Sequence, residues 1–422
     1  MKKIDLNPIR GFRDLYPKDK ALQNYIFEKV RHVAKQSGFE EYEGPIVEPM
    51  DIYLGKTSRE LLEEQTFLLQ GKKGQTTLLR PEMTPSLARM IAARSQEFTY
   101  PLRLFNIGVR FRYEAPQKGR AREFYQTDFD IIGSDSILAD AAILNTAVSI
   151  FLAFGATEND FIVSINSRKF IEGSLHDFGL DEEKIREILP IIDRKSKIKQ
   201  EEFDSQLSKK GIDSAVIDKI NELLNASIDP SKNKYFEELF EILKILEIDT
   251  YCQINTGVVR GLDYYTGLVF EVWEKGDLKR AILGGGRYDN LVSDFNPQAK
   301  LPSVGFAASD VVLEEFLRDK NLIPTFKTKG TKVLVTVFSE NTVIDSLKVF
   351  RALKKNNIPA ELYLGIDVKL DKQIKYADRY NIPYIVLIGP EEIEKNVVKL
   401  KDMKKREQEE LTLENLIKRL KI

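Results

Sequence analysis

RLFNIGVRFRYEAPQKGRAREFYQTDFDIIG, residues 103–133, is the stretch that decides the fold. Its first part alternates as an extended strand does. Phe105, Ile107, Val109, Phe111 and Tyr113 point one way, and Arg110, Arg112 and Glu114 the other. The returning part repeats the pattern, with Gln126, Asp128 and Asp130 opposite Tyr125, Phe129 and Ile131. Between them lies the polar loop APQKGRARE, which adds Lys118, Arg120 and Arg122. Paired as a hairpin, the strands present one apolar face and one face of arginine and glutamate beside glutamine and aspartate. A charged face of this kind is commonly just solvated. Here planar guanidinium forks suit phosphate, a basic loop is placed to close over it, and the carboxylates suit an amine or imidazole donor. The pattern therefore points to a nucleotide and a polar cation sharing one sheet face.

Composition sets the limits around that hairpin. A chain of 422 residues exceeds one ordinary core, so two or three domains are expected. With 42% hydrophobic and 31% charged residues it reads as a soluble globular protein, not a disordered one. The formal net charge of -1 announces no polyanion partner, so any such site depends on local clustering. The single cysteine, Cys252, excludes an internal disulfide and a cysteine-rich zinc site. His32 and His176 are the only histidines, which argues against a histidine metal cluster and a Ser-His-Asp triad. No metal ligand set is assigned. Neither a secretory signal nor a run of roughly 20 apolar residues is present, so the expected address is the cytoplasm, with no membrane partner.

Outward from the hairpin, residues 19–37 read as an amphipathic helix built on Leu22, Tyr25, Ile26, Val30 and Val33 and ended by Gly38. Residues 136–155 read as a second helix. From 168 to 248 the chain is lysine- and glutamate-rich, has helical periodicity, and is broken by Pro190 and Pro230, which reads as a helical insertion. Strand and glycine signals resume between Tyr251 and Val312. The triplet Gly284, Gly285 and Gly286 reads as a tight turn with close backbone approach to a ligand. PTFKTKGT, 324–331, reads as a linker. KVLVTVF, AELYL and PYIVLIG then alternate with helical patterns, as in a small α/β domain.

FRYEAPQKGRAREFYQTDFDIIG resembles motif 2 of class II aminoacyl-tRNA synthetases, in the form found in histidyl-tRNA synthetases. VVRGLDYYTGLVFE, 258–271, resembles that family's histidine-specific signature, and ILGGGRYDNL, 282–291, the glycine-rich segment that follows it. RGFRDLYP near the start, Pro45 in GFEEYEGPIVEP and LLRPEMTPSLAR at 78–89 fall in the family's order, and the tail resembles its anticodon-binding domain. The resemblance implies an α+β fold: an antiparallel-sheet catalytic domain over 1–167 and 249–323, a helical insertion over 168–248, and an α/β anticodon-binding domain over 329–422. It implies activation of L-histidine by ATP and transfer to tRNA(His), with Mg2+ held through the ATP phosphates and a homodimer built around motif 1.

Residue by residue, the resemblance puts Arg112 on the α-phosphate, Glu114 and Phe124 at adenine, Arg120 at the γ-phosphate and Gly305 in the ATP site. Glu82, Thr84 and Gln126 fall near the α-amino group of histidine, Asp130 and Tyr265 at its imidazole, and Tyr264 and Tyr288 along the pocket. Arg260 is placed against the α-phosphate and histidine carboxylate and, with Arg112, is the catalytic expectation, since a fixed guanidinium offsets repulsion between a carboxylate and a polyphosphate. One departure stands out. In VGFAASDVVLEEF, Val312 occupies the place of an arginine that clamps the γ-phosphate in the family, so either another basic group such as Arg120, Arg122 or Arg287 supplies that charge or ATP binding is impaired. The departure leaves open a non-catalytic relative, the synthetase-like regulatory subunit of ATP phosphoribosyltransferase. A class II synthetase for threonine, proline or glycine is the other alternative, although it would lack R-G-L-D-Y-Y.

Overall fold

The structure is a computed structural model. It describes residues 4–54, 57, 59–70, 76–117, 119–192, 194–195, 198–226, 228–258, 264–278, 280–326, 330–366 and 368–421. Arg260, with Gly261, Leu262 and Asp263, lies outside the described residues, as does Lys118. The chain forms two compact units, one of Met1–Tyr16 and Leu22–Ile323, the other of Pro17–Ala21 and Pro324–Ile422.

Helix α1 (Pro17–Gln36) buries Leu22, Ile26, Phe27, Val30, Val33 and Ala34 at helical spacing, and Gly38 follows at φ +74, where glycine carries no Cβ penalty. Next come β1 (Glu40–Glu41), β2 (Val47–Pro49), α2 (Arg59–Glu64), β3 (Phe67–Gln70), β4 (Thr76–Leu79) and α3 (Thr84–Ala93). Strands β2, β4 and β3 make a small antiparallel sheet. The hairpin follows as β5 (Leu102–Phe111) and β6 (Glu123–Ile132), with Asn106 opposite Asp128 and Gly108 opposite Gln126. After α4 (Ile137–Ala153) and β7 (Phe161–Ser167) come helices α5 (Arg168–Asp177), α6 (Glu182–Ile192), α7 (Gln200–Lys209), α8 (Ser214–Asn225) and α9 (Lys234–Ile245). The unit ends with β8 (Cys252–Ile254), β9 (Leu268–Glu274), β10 (Leu283–Arg287), β11 (Ser303–Ser309) and α10 (Asp310–Asp319).

The main sheet has the order β1-β5-β6-β11-β10-β9-β7-β8 and is antiparallel except at its edges, where β1 joins β5 and β7 joins β8 in parallel. Its period of two separates two faces. On one, Phe105 stacks on Phe129 and Phe129 on Phe306, with ring centroids 5.6 and 5.0 Å apart, while Phe270 meets Phe306 edge-on at 6.2 Å. Helices α4 and α10 pack against this side. Asp310, the first residue of α10, accepts hydrogen bonds from Arg13, Gln23 and the Tyr125 backbone N–H, which ties the N-terminal segment to the sheet.

The polar hairpin face is buried rather than solvated: Arg110 is 0% exposed and Asp130 3%. Two sequence expectations change here. The glycine triplet is not a turn but lies within β10. A Cβ on Gly285 would stand 2.2 Å from the Gly305 carbonyl and 2.5 Å from the Phe306 Cβ, so glycine is what lets Phe270 and Phe306 meet over this strand. Pro190 does not break its helix but sits inside the last turn of α6. Helices α5 to α8 share a core of Ile171, Leu175, Ile188, Phe203, Leu207 and Ile220, whereas α9 returns to α4, where the Tyr235 hydroxyl donates to Asp140 at 3.0 Å.

The smaller unit holds β12 (Val333–Val335), α11 (Val343–Lys355), β13 (Ala360–Leu362), α12 (Leu370–Arg379), β14 (Tyr384–Leu387), α13 (Pro390–Glu394), β15 (Val398–Asp402), β16 (Gln408–Leu411) and α14 (Leu413–Lys421). Its sheet, β13-β12-β14-β15-β16, is parallel at β13, β12 and β14 and antiparallel beyond. Among the described residues no helix is long and apolar enough to cross a membrane.

Candidate active site

The even-numbered positions of β5 and β6 carry the polar face, and β11 and β10 continue it with Gly305, Ala307, Gly284 and Gly286. Two clusters form on it. The first is a cavity of about 140 Å³ lined by Arg112, Glu114, Arg120, Phe124, Gln126 and Arg280, with Gly284 and Val312 among its other walls. Arg112 donates to the Pro81 carbonyl at 3.0 Å and its guanidinium lies 5.3 Å from the Phe124 ring centroid. Arg120 pairs with Glu114 at 3.2 Å. The expected nucleotide residues Arg112, Glu114, Arg120 and Phe124 are therefore brought together.

The second cluster lies further along the same face. Thr57 donates to the Glu82 carboxylate at 2.5 Å and the Tyr264 hydroxyl donates to its other oxygen at 3.3 Å. Burial pushes the Glu82 carboxyl up, against those two hydrogen bonds and the Arg112 charge. The Tyr288 hydroxyl donates to Asp130. Burial pushes Asp130 up to about 8. Tyr264 meets Tyr265 and Tyr288 edge-on at 5.0 and 5.9 Å. The Tyr265 ring stands where a Cβ on Gly286 would come within 2.7 Å, so the glycine admits the ring. Thr84, half-buried, opens α3 two residues after Glu82. Gln126 sits on β6 between the clusters, with its buried Oε1 lacking a hydrogen-bond partner.

Several placements differ from the sequence expectations. Gly305, expected at ATP, pairs with Asp130 across the sheet, and a Cβ there would fall 2.2 Å from the Asp130 Oδ1. The Asp130 side chain fills the space that its missing side chain leaves. Arg287, offered as a substitute phosphate contact, is on the opposite face, bound to Asp140 at 2.6 Å and to the Ser134 carbonyl at 2.8 Å. Arg122 lies over the Tyr113 ring at 3.9 Å and donates to the Glu114 carbonyl. Arg110, the partner of Arg112 in the motif, is committed to Asp128 at 2.6 Å and Asn106 at 2.7 Å.

Two residues went unnoticed in the sequence. Tyr42, just after β1, is half-buried, with its buried hydroxyl oxygen unpartnered. Burial and the Asp130 and Asp128 charges hold that hydroxyl well above the usual tyrosine range, which places Tyr42 beside the carboxylate pocket. Arg280 reaches the arginine cavity from the segment before β10.

An antiparallel sheet presenting an arginine-lined cavity and a carboxylate and tyrosine pocket side by side has the form of a class II aminoacyl-tRNA synthetase catalytic domain. Comparison with known proteins narrows the class. The histidyl-tRNA synthetase family profile matches residues 11–311 and an anticodon binding domain profile matches residues 332–421. The chain belongs to the histidyl-tRNA synthetase family. It is 35% identical to the histidine–tRNA ligase of Leptospira biflexa serovar Patoc over 433 aligned residues, all of this chain and 98% of the relative. The crystal structure of histidyl-tRNA synthetase from Nostoc sp. PCC 7120 superposes with a TM-score of 0.79 at 26% identity, covering 99% of both chains. A Bacillus halodurans structure titled ATP phosphoribosyltransferase regulatory subunit/histidyl-tRNA synthetase covers 89% of this chain at 21% identity and TM-score 0.72, a likeness of fold alone.

Proposed function

We infer that this enzyme, a histidine–tRNA ligase, activates L-histidine with ATP to histidyl-adenylate and pyrophosphate, then transfers histidine to the 3′ end of tRNA(His). The carrying observation is the adjacency of the clusters on β6. Phe124, Gln126 and Asp130 share a face, with Asp130 roughly 13 Å beyond Gln126 along an extended strand. Histidine held between them, its imidazole towards Asp130 and its α-amino group near Gln126, would turn its carboxylate towards the nucleotide cavity. Arg112 then meets the charge that grows on the α-phosphate as the carboxylate attacks, and Arg260 takes the neighbouring place that the family pattern gives it. Attack needs no base, because the nucleophile is already ionised. Asp130 and Tyr265 read the imidazole, Glu82, Thr84 and Gln126 hold the amino end, and Tyr264 and Tyr288 line the pocket, Tyr264 bonded to Glu82 and Tyr288 to Asp130. An apolar isostere would leave the buried Asp130 with no partner beyond the Tyr288 hydroxyl, the kind of penalty that gives strong rejection.

Mg2+ would be carried in by the ATP phosphates and would offset their charge. Among the described residues no group of three or more His, Cys, Asp or Glu is placed to hold a metal, and Mg2+ characteristically binds through substrate phosphates with one or two carboxylates. Glu315, whose buried Oε2 has no hydrogen-bond partner, fits that need. The unit after residue 324 binds tRNA, with the anticodon domain spanning 329–422 and the catalytic domain interrupted by the insertion at 168–248. A homodimer accounts for the exposed Ile46, Val47, Leu54, Leu68 and Leu69 on and around the small sheet. The cytoplasm is the proposed location.

The test is amino-acid-dependent pyrophosphate exchange into ATP across the twenty amino acids. Exchange with histidine alone is expected. Exchange with threonine, proline or glycine would overturn the specificity, and exchange with none would favour the regulatory-subunit reading that Val312 leaves open.

A further inference from the structure

Val312 leaves the nucleotide cavity one guanidinium short of the family pattern. It is 2% exposed and turns hydrocarbon into the cavity wall. The same helix continues its face with Glu315 and Asp319, three and seven residues on, and these line an adjoining cavity of about 410 Å³. Arg280 lines both cavities, so its side chain stands over the helix face from which an arginine at 312 would project. It enters from the opposite wall, on the segment leading into β10.

Charge points the same way. Arg112, Arg120 and Arg280 converge on the smaller cavity, where Glu114 is the carboxylate among the lining residues. Arg280 is half-buried, and burial together with the Arg120 and Arg112 charges lowers its proton affinity, only partly offset by Glu114 and Glu315. Three crowded cations repel one another until a multiply charged anion enters between them. The Arg280 Nη1 donates to the Gly119 carbonyl, in the turn that carries Arg120. Of the three arginines offered from sequence, Arg122 over Tyr113 and Arg287 on Asp140 are committed elsewhere, and Arg120 lines the cavity.

We propose that Arg280 binds the β- and γ-phosphates of ATP together with Arg120, supplying from the segment ahead of β10 the charge that the family pattern places on α10 at the position of Val312. The proposal rests on the ATP-dependent reading above and adds a residue to it. Entry of the triphosphate exchanges the Gly119 carbonyl for phosphate oxygens on the Arg280 fork.

Arg280→Ala tests this with two ligands that differ only where Arg280 would act. ATP carries the β- and γ-phosphates. A sulfamoyl analogue of histidyl-adenylate lacks them and still fills the adenine, ribose and histidine sites. In the variant, kcat/KM for ATP in histidine-dependent exchange should fall about 100-fold, the scale of losing one preorganised charge contact. Calorimetric ATP affinity should fall with it, while analogue affinity and the KM for histidine stay within threefold of the parent. ATP affinity within threefold of the parent would overturn the proposal. So would equal losses for ATP and the analogue, which would make Arg280 a loop tether only. Because both ligands are read by binding, a parent protein without histidine-dependent exchange would sink the ligase reading and still leave the assignment of Arg280 decided.

Discussion

Gly305→Ala separates the two clusters more sharply than a substitution of either carboxylate. The added Cβ would fall 2.2 Å from the Asp130 Oδ1, 2.6 Å from the Phe129 carbonyl oxygen and 3.0 Å from the Asp130 Cγ. An ordinary carbon–oxygen contact is longer by about 1 Å, even counting the close Cα–H···O contacts of sheets. The Phe129 carbonyl is held in the β6–β11 ladder, so the aspartate must give most of that distance. A shift of that size takes its carboxylate off the Tyr288 hydroxyl. Overpacking of this kind costs about 1–3 kcal/mol of stability, and a misplacement of about 1 Å in a binding constellation costs about 100-fold. Exchange kinetics titrated separately in histidine and ATP should therefore show kcat/KM for histidine down about 100-fold. The KM for ATP should stay within threefold, because Gly305 does not line the arginine cavity. Thermal unfolding should shift downward in the same variant. If instead the KM for ATP rises while that for histidine holds, Gly305 serves the nucleotide, and the reasoning from Asp130 is wrong.

Asp128→Asn should cost about 3 kcal/mol or more in urea unfolding, because it strands the fully buried Arg110 without its 2.6 Å counter-charge; a loss under 1 kcal/mol would mean the guanidinium is neutralised elsewhere. Asp130 yields a pH prediction. Its folded carboxyl is raised to about 8 from an ordinary value of 3.8, so the ligand-free folded state binds the proton more tightly than the unfolded state between those limits. The stabilisation is whole below about pH 4 and is lost as pH rises towards 8. Asp130→Asn removes that slope while keeping an acceptor for Tyr288. The variant should gain on the parent by up to about 1.4 kcal/mol per pH unit between pH 5 and 8, and a difference independent of pH would show that Asp130 does not titrate there.

The hairpin was legible because a period of two over ten residues per strand leaves few alternative readings, and both strands form with Asn106 opposite Asp128. The burial of its polar face was not legible. Whether Arg110 meets water or Asp128 depends on what covers the sheet, and that comes from segments distant in sequence. The glycine triplet misled for a related reason. Glycine was read as a turn former, yet none of the three residues has positive φ, and two of them are small because a neighbouring strand or Tyr265 needs the space. Tyr42 escaped notice because β1 is two residues long and offers no alternation to read.

Arg287 and Arg280 show where parity could have helped and where it could not. Arg287 lies an even number of residues from Gly285, which faces Phe306, and an odd number from Gly284, which faces the cavity. Once the triplet is taken as strand, alternation alone puts Arg287 on the apolar side, against Asp140 on α4. Arg280 lies ahead of β10 in irregular chain, where no period fixes direction, so only the folded path brings it to Val312. The charge of a phosphate cavity is a sum over every element that reaches it. A missing arginine on α10 is therefore no evidence of a dead site until each cation facing that cavity has been counted.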